Sequence, residues 1–152
     1  MRIPGFRFLP AVLAMALAML VAAAASAAGP GFGMVKTSTG DVRIERNGKV
    51  LPAPVGTRVE ASDVVRTGKD GAAGISFVDQ SRLSLGPNSV LAIDRFEFDP
   101  TTHAGAFDST LRKGTLSAIS GKLAHASPKA MTVRTRSTIL AVRGTEFVVS
   151  VR

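Results

Sequence analysis

Residues 71–93 read Gly71-Ala72-Ala73-Gly74-Ile75-Ser76-Phe77-Val78-Asp79-Gln80-Ser81-Arg82-Leu83-Ser84-Leu85-Gly86-Pro87-Asn88-Ser89-Val90-Leu91-Ala92-Ile93. Ala73, Ile75 and Phe77 share one face of an alternating run, with Gly74 and Ser76 opposite, which is the period of a half-buried strand. Asp79-Gln80-Ser81 makes a turn, and Arg82-Leu83-Ser84-Leu85 alternates again with both leucines on one side. Gly86-Pro87-Asn88-Ser89 is a second turn, since proline presets one dihedral and asparagine tolerates a left-handed one. Leu91 and Ile93 extend the inward row. Three strands joined by tight turns predict a meander, whose single apolar face needs a second layer to cover it.

The same punctuation continues on both sides. Met34 to Lys49 reads as two strands around Gly40-Asp41, closed by a hairpin turn at Arg46-Asn47-Gly48. Thr115 to Ala118 and Lys122-Leu123 are short strand candidates beside Gly114 and Gly121. Met131 to Arg136 alternates cleanly, with Met131, Val133 and Thr135 inward. Thr138 to Arg143 and Thr145 to Val151 read as a further pair broken at Gly144, burying Phe147, Val149 and Val151. Asp99 to Asp108, with Pro100, Thr101, Thr102 and Gly105, reads as a polar loop. No sustained helical pattern follows Gly29. The fold class is therefore all-β, a single antiparallel sandwich or roll of short strands. A short β-solenoid is the alternative, because turn–strand units recur, although without a fixed period.

Residues 1–27 read as a secretory signal peptide. Arg2 and Arg7 give a positive start, Leu9 to Ala25 is an uncharged apolar run interrupted only by Pro10, and Ala25-Ser26-Ala27 offers the small residues a signal peptidase accepts. An uncleaved anchor is the other reading, but about 17 alanine-rich residues are at the lower limit for a span. Cleavage after Ala27 removes two arginines and no acid, leaving 125 residues with a net charge of +6. Without cysteine there is no lipobox, and Arg2 and Arg7 are not adjacent, so no twin-arginine signal is indicated. Residues 28–55 then form an N-terminal β segment leading into a domain over 56–152.

Composition narrows the chemistry. The 152 residues carry 19 Lys and Arg against 11 Asp and Glu, with two His and no Cys. Disulfide scaffolds, thiol nucleophiles, zinc fingers and iron–sulfur clusters are excluded. A Ser-His-Asp centre needs His103 or His125 beside a nucleophile, and no G-x-S-x-G phrase accompanies either. Asp94, Glu97 and Asp99 could supply oxygen ligands, but the glycine-containing calcium loop is absent, and a solvated strand edge is the simpler reading. No catalytic residue, cofactor site or metal site is therefore assigned.

Several phrases stand in a recognisable order. Gly56-Thr57-Arg58-Val59 precedes Asp63-Val64-Val65-Arg66-Thr67-Gly68, then Asp70-Gly71-Ala72-Ala73, then Asp79 through Ser89, and finally Ala141-Val142-Arg143-Gly144-Thr145-Glu146-Phe147 after Thr135. Over Gly56 to Val151 the chain resembles a FecR domain, named for the ferric-citrate regulator, with Asp63, Arg66, Gly68, Asp79, Asn88, Gly144 and Thr145 as its structural motif. Gln80 departs from the pattern, standing where the family usually has glycine. The resemblance implies an exported β-rich module of envelope signalling proteins. In the regulator, a cytoplasmic segment contacts a sigma factor and one helix crosses the inner membrane. Neither part has a counterpart here, so the expectation is a stand-alone member with no stable membrane span once the signal is cleaved.

Arg143 is placed to reach a carboxylate such as Asp63 or Asp79, locking the last hairpin to the sheet. Arg134 and Arg136 project from one face of their strand, with Lys129 and Arg143 near in sequence, and these three arginines are the candidate binding residues. Export and the lack of interleaved aromatics argue against nucleic acid. The partner expected in the periplasm or outside the cell is an envelope protein or an anionic surface polymer. A structural subunit that joins copies through strand edges is the second reading.

Overall fold

A computed structural model describes residues 32–144 and 146–152. The signal segment and Thr145 lie outside the described residues. Twelve strands and one short helix follow in order: β1 Gly33–Thr39, β2 Val42–Arg46, β3 Lys49–Pro52, β4 Arg58–Val59, β5 Val64–Thr67, β6 Ala72–Phe77, β7 Arg82–Leu85, β8 Val90–Phe98, β9 Gly105–Ile119, α1 Lys122–Ala126, β10 Met131–Arg134, β11 Ile139–Ala141 and β12 Glu146–Val151.

All strands join one sheet that curls on itself about β9. The first half of β9 pairs β8 on one side and β10 on the other, extending through β5, β2 and β3 in one direction and β11 in the other. Its second half pairs β7 and β12, and continues from β7 through β6 and β1 to β4. Every ladder is antiparallel except β9 with β10. Those ladders decide for a roll over a solenoid, whose coils would stack in parallel.

The fold of the sheet is made at Gly114, where φ is +92° and a Cβ would fall on the Ser89 side chain and Cα. A bulge beside it lets Val90 face Lys113 while Leu91 faces Leu111, and a bulge of this kind bends a strand out of one plane. Three other crossings between the two halves stack against this corner. Gly68 donates its N–H to the Asp41 carbonyl, and Asn88 donates to the Gly68 carbonyl. A Cβ on Gly71 would strike the Asp41 carbonyl. This column of corners is the recurrence that resembles a solenoid in the sequence.

Between the two halves lies one apolar core. Ala73, Ile75, Phe77, Leu83, Leu85, Leu91 and Ile93 are all buried, as their alternation predicts. At one end Phe32, Phe77, Phe96 and Phe107 cluster, the closest centroids (Phe77 and Phe107) being 4.6 Å apart. Aromatic pairs of this kind add about 0.5–1.5 kcal/mol beyond area burial. Asn47 and Gly48, both at positive φ, turn β2 into β3 as an Asn-Gly hairpin should.

Four expectations are corrected. The meander stops after two strands, since β8 leaves β7 and pairs with β5 and β9. The stretch read as a loop, Asp99 to Asp108, is a turn only to Ala104; Gly105 to Asp108 begin β9, and Phe107 is fully buried. Lys122-Leu123 opens a one-turn helix with Leu123 and Ala124 in the core. The last two strands do not pair with each other, for β11 pairs β10 and β12 pairs β9.

Candidate functional site

Two motif carboxylates, Asp63 and Asp79, are polar staples inside the roll. Asp63 is 0% exposed and accepts two hydrogen bonds from Arg46, both 2.7 Å, with a third from the Glu60 N–H at 2.8 Å. Arg46 also reaches Glu60 Oε1 at 2.7 Å and the Arg58 carbonyl at 3.0 Å. The hydrogen bond to Asp63 holds the Arg46 guanidinium above its usual pKa, against the desolvation that opposes it. Arg46 lies in the N-terminal β segment, so that segment supplies the partner of the first motif aspartate.

Asp79 is likewise buried and accepts from the Ser81 N–H at 3.0 Å and hydroxyl at 2.6 Å. The Gly121 N–H donates to Ser81 Oγ, and the Lys122 N–H to the Asp79 carbonyl, so this turn anchors the start of α1. Gln80 takes φ +72° here, the left-handed conformation that the usual glycine adopts freely. Thr67 Oγ1 donates to the Gly86 carbonyl and accepts from the Ser89 N–H, clamping one motif phrase onto the next. Asn88 contributes its left-handed backbone (φ +53°) and an N–H. Arg66 forms an exposed pair with Glu45 at 3.0 Å, worth at most about 1 kcal/mol. Among the described residues, no buried side-chain nitrogen or oxygen lacks a partner.

Arg143 does not serve these staples. Asp63 is taken by Arg46 and Asp79 by its own turn, while Arg143 is exposed just past the end of β11. Gly144 sits at φ +63°, and a Cβ there would meet only the His125 ring at ordinary distance. The glycine is needed for its dihedral rather than for close approach.

Arg134 and Arg136 stand at the turn end of the β10–β11 hairpin, and Arg143 lies beyond its other end. Arg134 ends β10, exposed, and Arg136 stands in the turn before β11. A groove of about 490 Å³ runs between that turn and β12, lined by Arg136, Leu140, Val148, Val149 and Arg152 among others. A second hollow continues it past Leu140 and Val148 to Arg143. Arg152 was not singled out by the sequence, because a terminal arginine has no pattern around it. The local charge is one-sided. From Ser109 onward the chain has eight Lys and Arg against Glu146 alone, which is seven of the eight net positive charges. Among the described residues, the five ion pairs lie before residue 98.

The acids read as possible oxygen ligands are engaged with neighbours. Asp94 accepts from Thr110, Glu97 pairs with Arg95, and Asp99 caps its own turn through the Thr101 and Thr102 N–H groups. His103 stacks on Phe98 with centroids 6.0 Å apart, and His125 lies in α1. Among the described residues no three His, Asp or Glu are gathered so as to hold a metal ion. No described helix is long and apolar enough to cross a membrane.

A family model described as FecR protein matches residues 63–152. No curated protein and no solved structure matches the chain. The match spans the staples at Asp63 and Asp79, the corner at Gly114 and the whole basic end.

Proposed function

The chain belongs to the FecR family, and from that premise we propose that it is an exported, non-enzymatic sensing module that docks an envelope partner at its basic end. The family is a signalling and regulatory one. The observation that carries the reading is a separation of roles: the motif carboxylates Asp63 and Asp79 are consumed inside the fold, while Arg134, Arg136 and Arg143 are exposed, the last two beside an open groove. An uncompensated patch of this sign attracts acidic partners and raises their encounter rate. Export follows from the leader at residues 1–27, and periplasmic placement suits the partners such a patch meets.

A photo-crosslinking residue at position 136, carried in intact cells, tests this. One envelope protein should be captured there, and little at position 49 on β3, at the far edge of the same sheet. Equal yields at both positions, or none at 136, would overturn the reading. The second reading, a subunit that joins copies, is favoured by one feature: β3 is an edge strand with Val50 and Leu51 exposed. Sedimentation separates the two, since a monomer at high concentration leaves assembly without support.

A further inference from the structure

We infer that the groove between β11 and β12 takes an extended, acid-rich peptide strand of the partner, added to the open edge of β12. This deepens the docking proposed above and rests on it.

Three observations converge there. First, among the described residues β12 pairs only with β9 and β11 only with β10, so each presents an edge of backbone donors and acceptors toward the groove they line. Such an edge is a template for another strand. Second, the apolar groups at this edge are incompletely covered: Val148 is 66% exposed, and Phe147, Val149 and Val151 are only half-buried although they pack on the core. Third, Arg136, Arg143 and Arg152 line the groove, with Glu146 the one acid of this region.

The period of a strand turns these into a recognition rule. Side chains alternate between faces. A strand laid beside β12 sets one row next to Phe147, Val149 and Val151, where valine or threonine fits. Its other row lies with Glu146, Val148, Ser150 and Arg152, so that glutamate or aspartate is favoured toward Arg152 and disfavoured beside Glu146. The occupant is therefore a protein segment alternating apolar and acidic residues, about as long as the six-residue β12. The other edges suit this poorly: β4 has two residues, and β3 ends in Pro52, which has no N–H to offer.

The test uses an eight-residue labelled peptide alternating valine and glutamate, with fluorescence anisotropy and amide exchange as readouts. Binding should slow exchange in β12. It should fall at least tenfold when the peptide is N-methylated at alternate residues, which removes ladder donors and leaves its charge intact. It should fall similarly in the Arg136→Glu/Arg143→Glu protein, and a valine–lysine peptide should not bind. Oligoglutamate of equal charge binding as tightly, or N-methylation without effect, would overturn strand addition in favour of plain charge attraction. So would protection of β3 instead, or self-association of the protein through β12. Capture at position 136 in cells with no strand-like peptide binding would sink this docking mode alone. Absence of capture would sink the parent reading.

Discussion

At the scale of single residues, Asp63 shows how much of the motif is internal. Its carboxylate is fully buried, and among the described residues Arg46 is the one cation that reaches it. Breaking a buried pair by removing one partner costs about 3–5 kcal/mol, because the other charge is left uncompensated. Arg46→Leu is expected to fall at the lower end of that range, since its side chain is 25% exposed. Urea unfolding would read the loss as a lowered midpoint at constant m-value. Two glycines provide a contrast of mechanism. Gly144→Val strains a left-handed dihedral in open space and should destabilise by ~1–3 kcal/mol. Gly114→Ala adds to similar strain a collision with Ser89, so it should cost more than Gly144→Ala. Equal melting temperatures for those two alanine variants would refute the assignment of Gly114 as the corner of the roll.

At the scale of elements, the strand most informative about folding is β9. Phe107→Ala should cost about 3–5 kcal/mol by the usual large-to-small penalty, whereas a loop phenylalanine would cost little; thermal melting decides. The turn leading into β9 gives a pH prediction. Hydrogen bonds from the Thr101 N–H, and then that of Thr102, hold the Asp99 carboxyl below its ordinary value of 3.8. A group whose pKa is depressed by folding stabilises the native state above its unfolded pKa, and the contribution is lost as pH falls through the folded value. Asp99→Asn should therefore weaken the decline in melting temperature below about pH 4. A variant with an unchanged acid profile would show that the turn does not contribute.

The strands legible in sequence were those with clean alternation on a single sheet half: β6, β7 and β10. Asn47-Gly48 marked its hairpin because turn chemistry is local. Phe107 was hidden because Asp99 to Ala104 and the polar residues around it mask the start of a strand whose partners, β8 and β10, are chosen by tertiary packing. The pairing of β12 with β9 instead of β11 was illegible for the same reason. Asp79 finds its partner Ser81 within the turn that the sequence shows, but the partner of Asp63, Arg46, follows from strand register, which no local pattern encodes. The basic end was partly legible, as Arg134, Arg136 and Arg143. The groove that joins two of them required the coordinates of β11 and β12.

For the whole molecule, charge is distributed unevenly along the chain. The first part of the chain is nearly neutral and laced with ion pairs, while residues 109–152 carry almost the entire excess. Staples hold the roll, and the surface left over is basic, apolar at one strand edge and open. Salt should weaken docking at that surface without lowering stability, because the exposed arginines of this end take no part in the ion pairs.

The central claim is that recognition lies at Arg136 and Arg143 and not in the buried motif. The direct measurement is the yield of envelope adduct from a crosslinking residue at position 148, comparing the parent with Arg136→Glu/Arg143→Glu in intact cells, alongside both melting temperatures. The account predicts adduct reduced to background at an unchanged melting temperature. Undiminished adduct in the doubly reversed protein would contradict it.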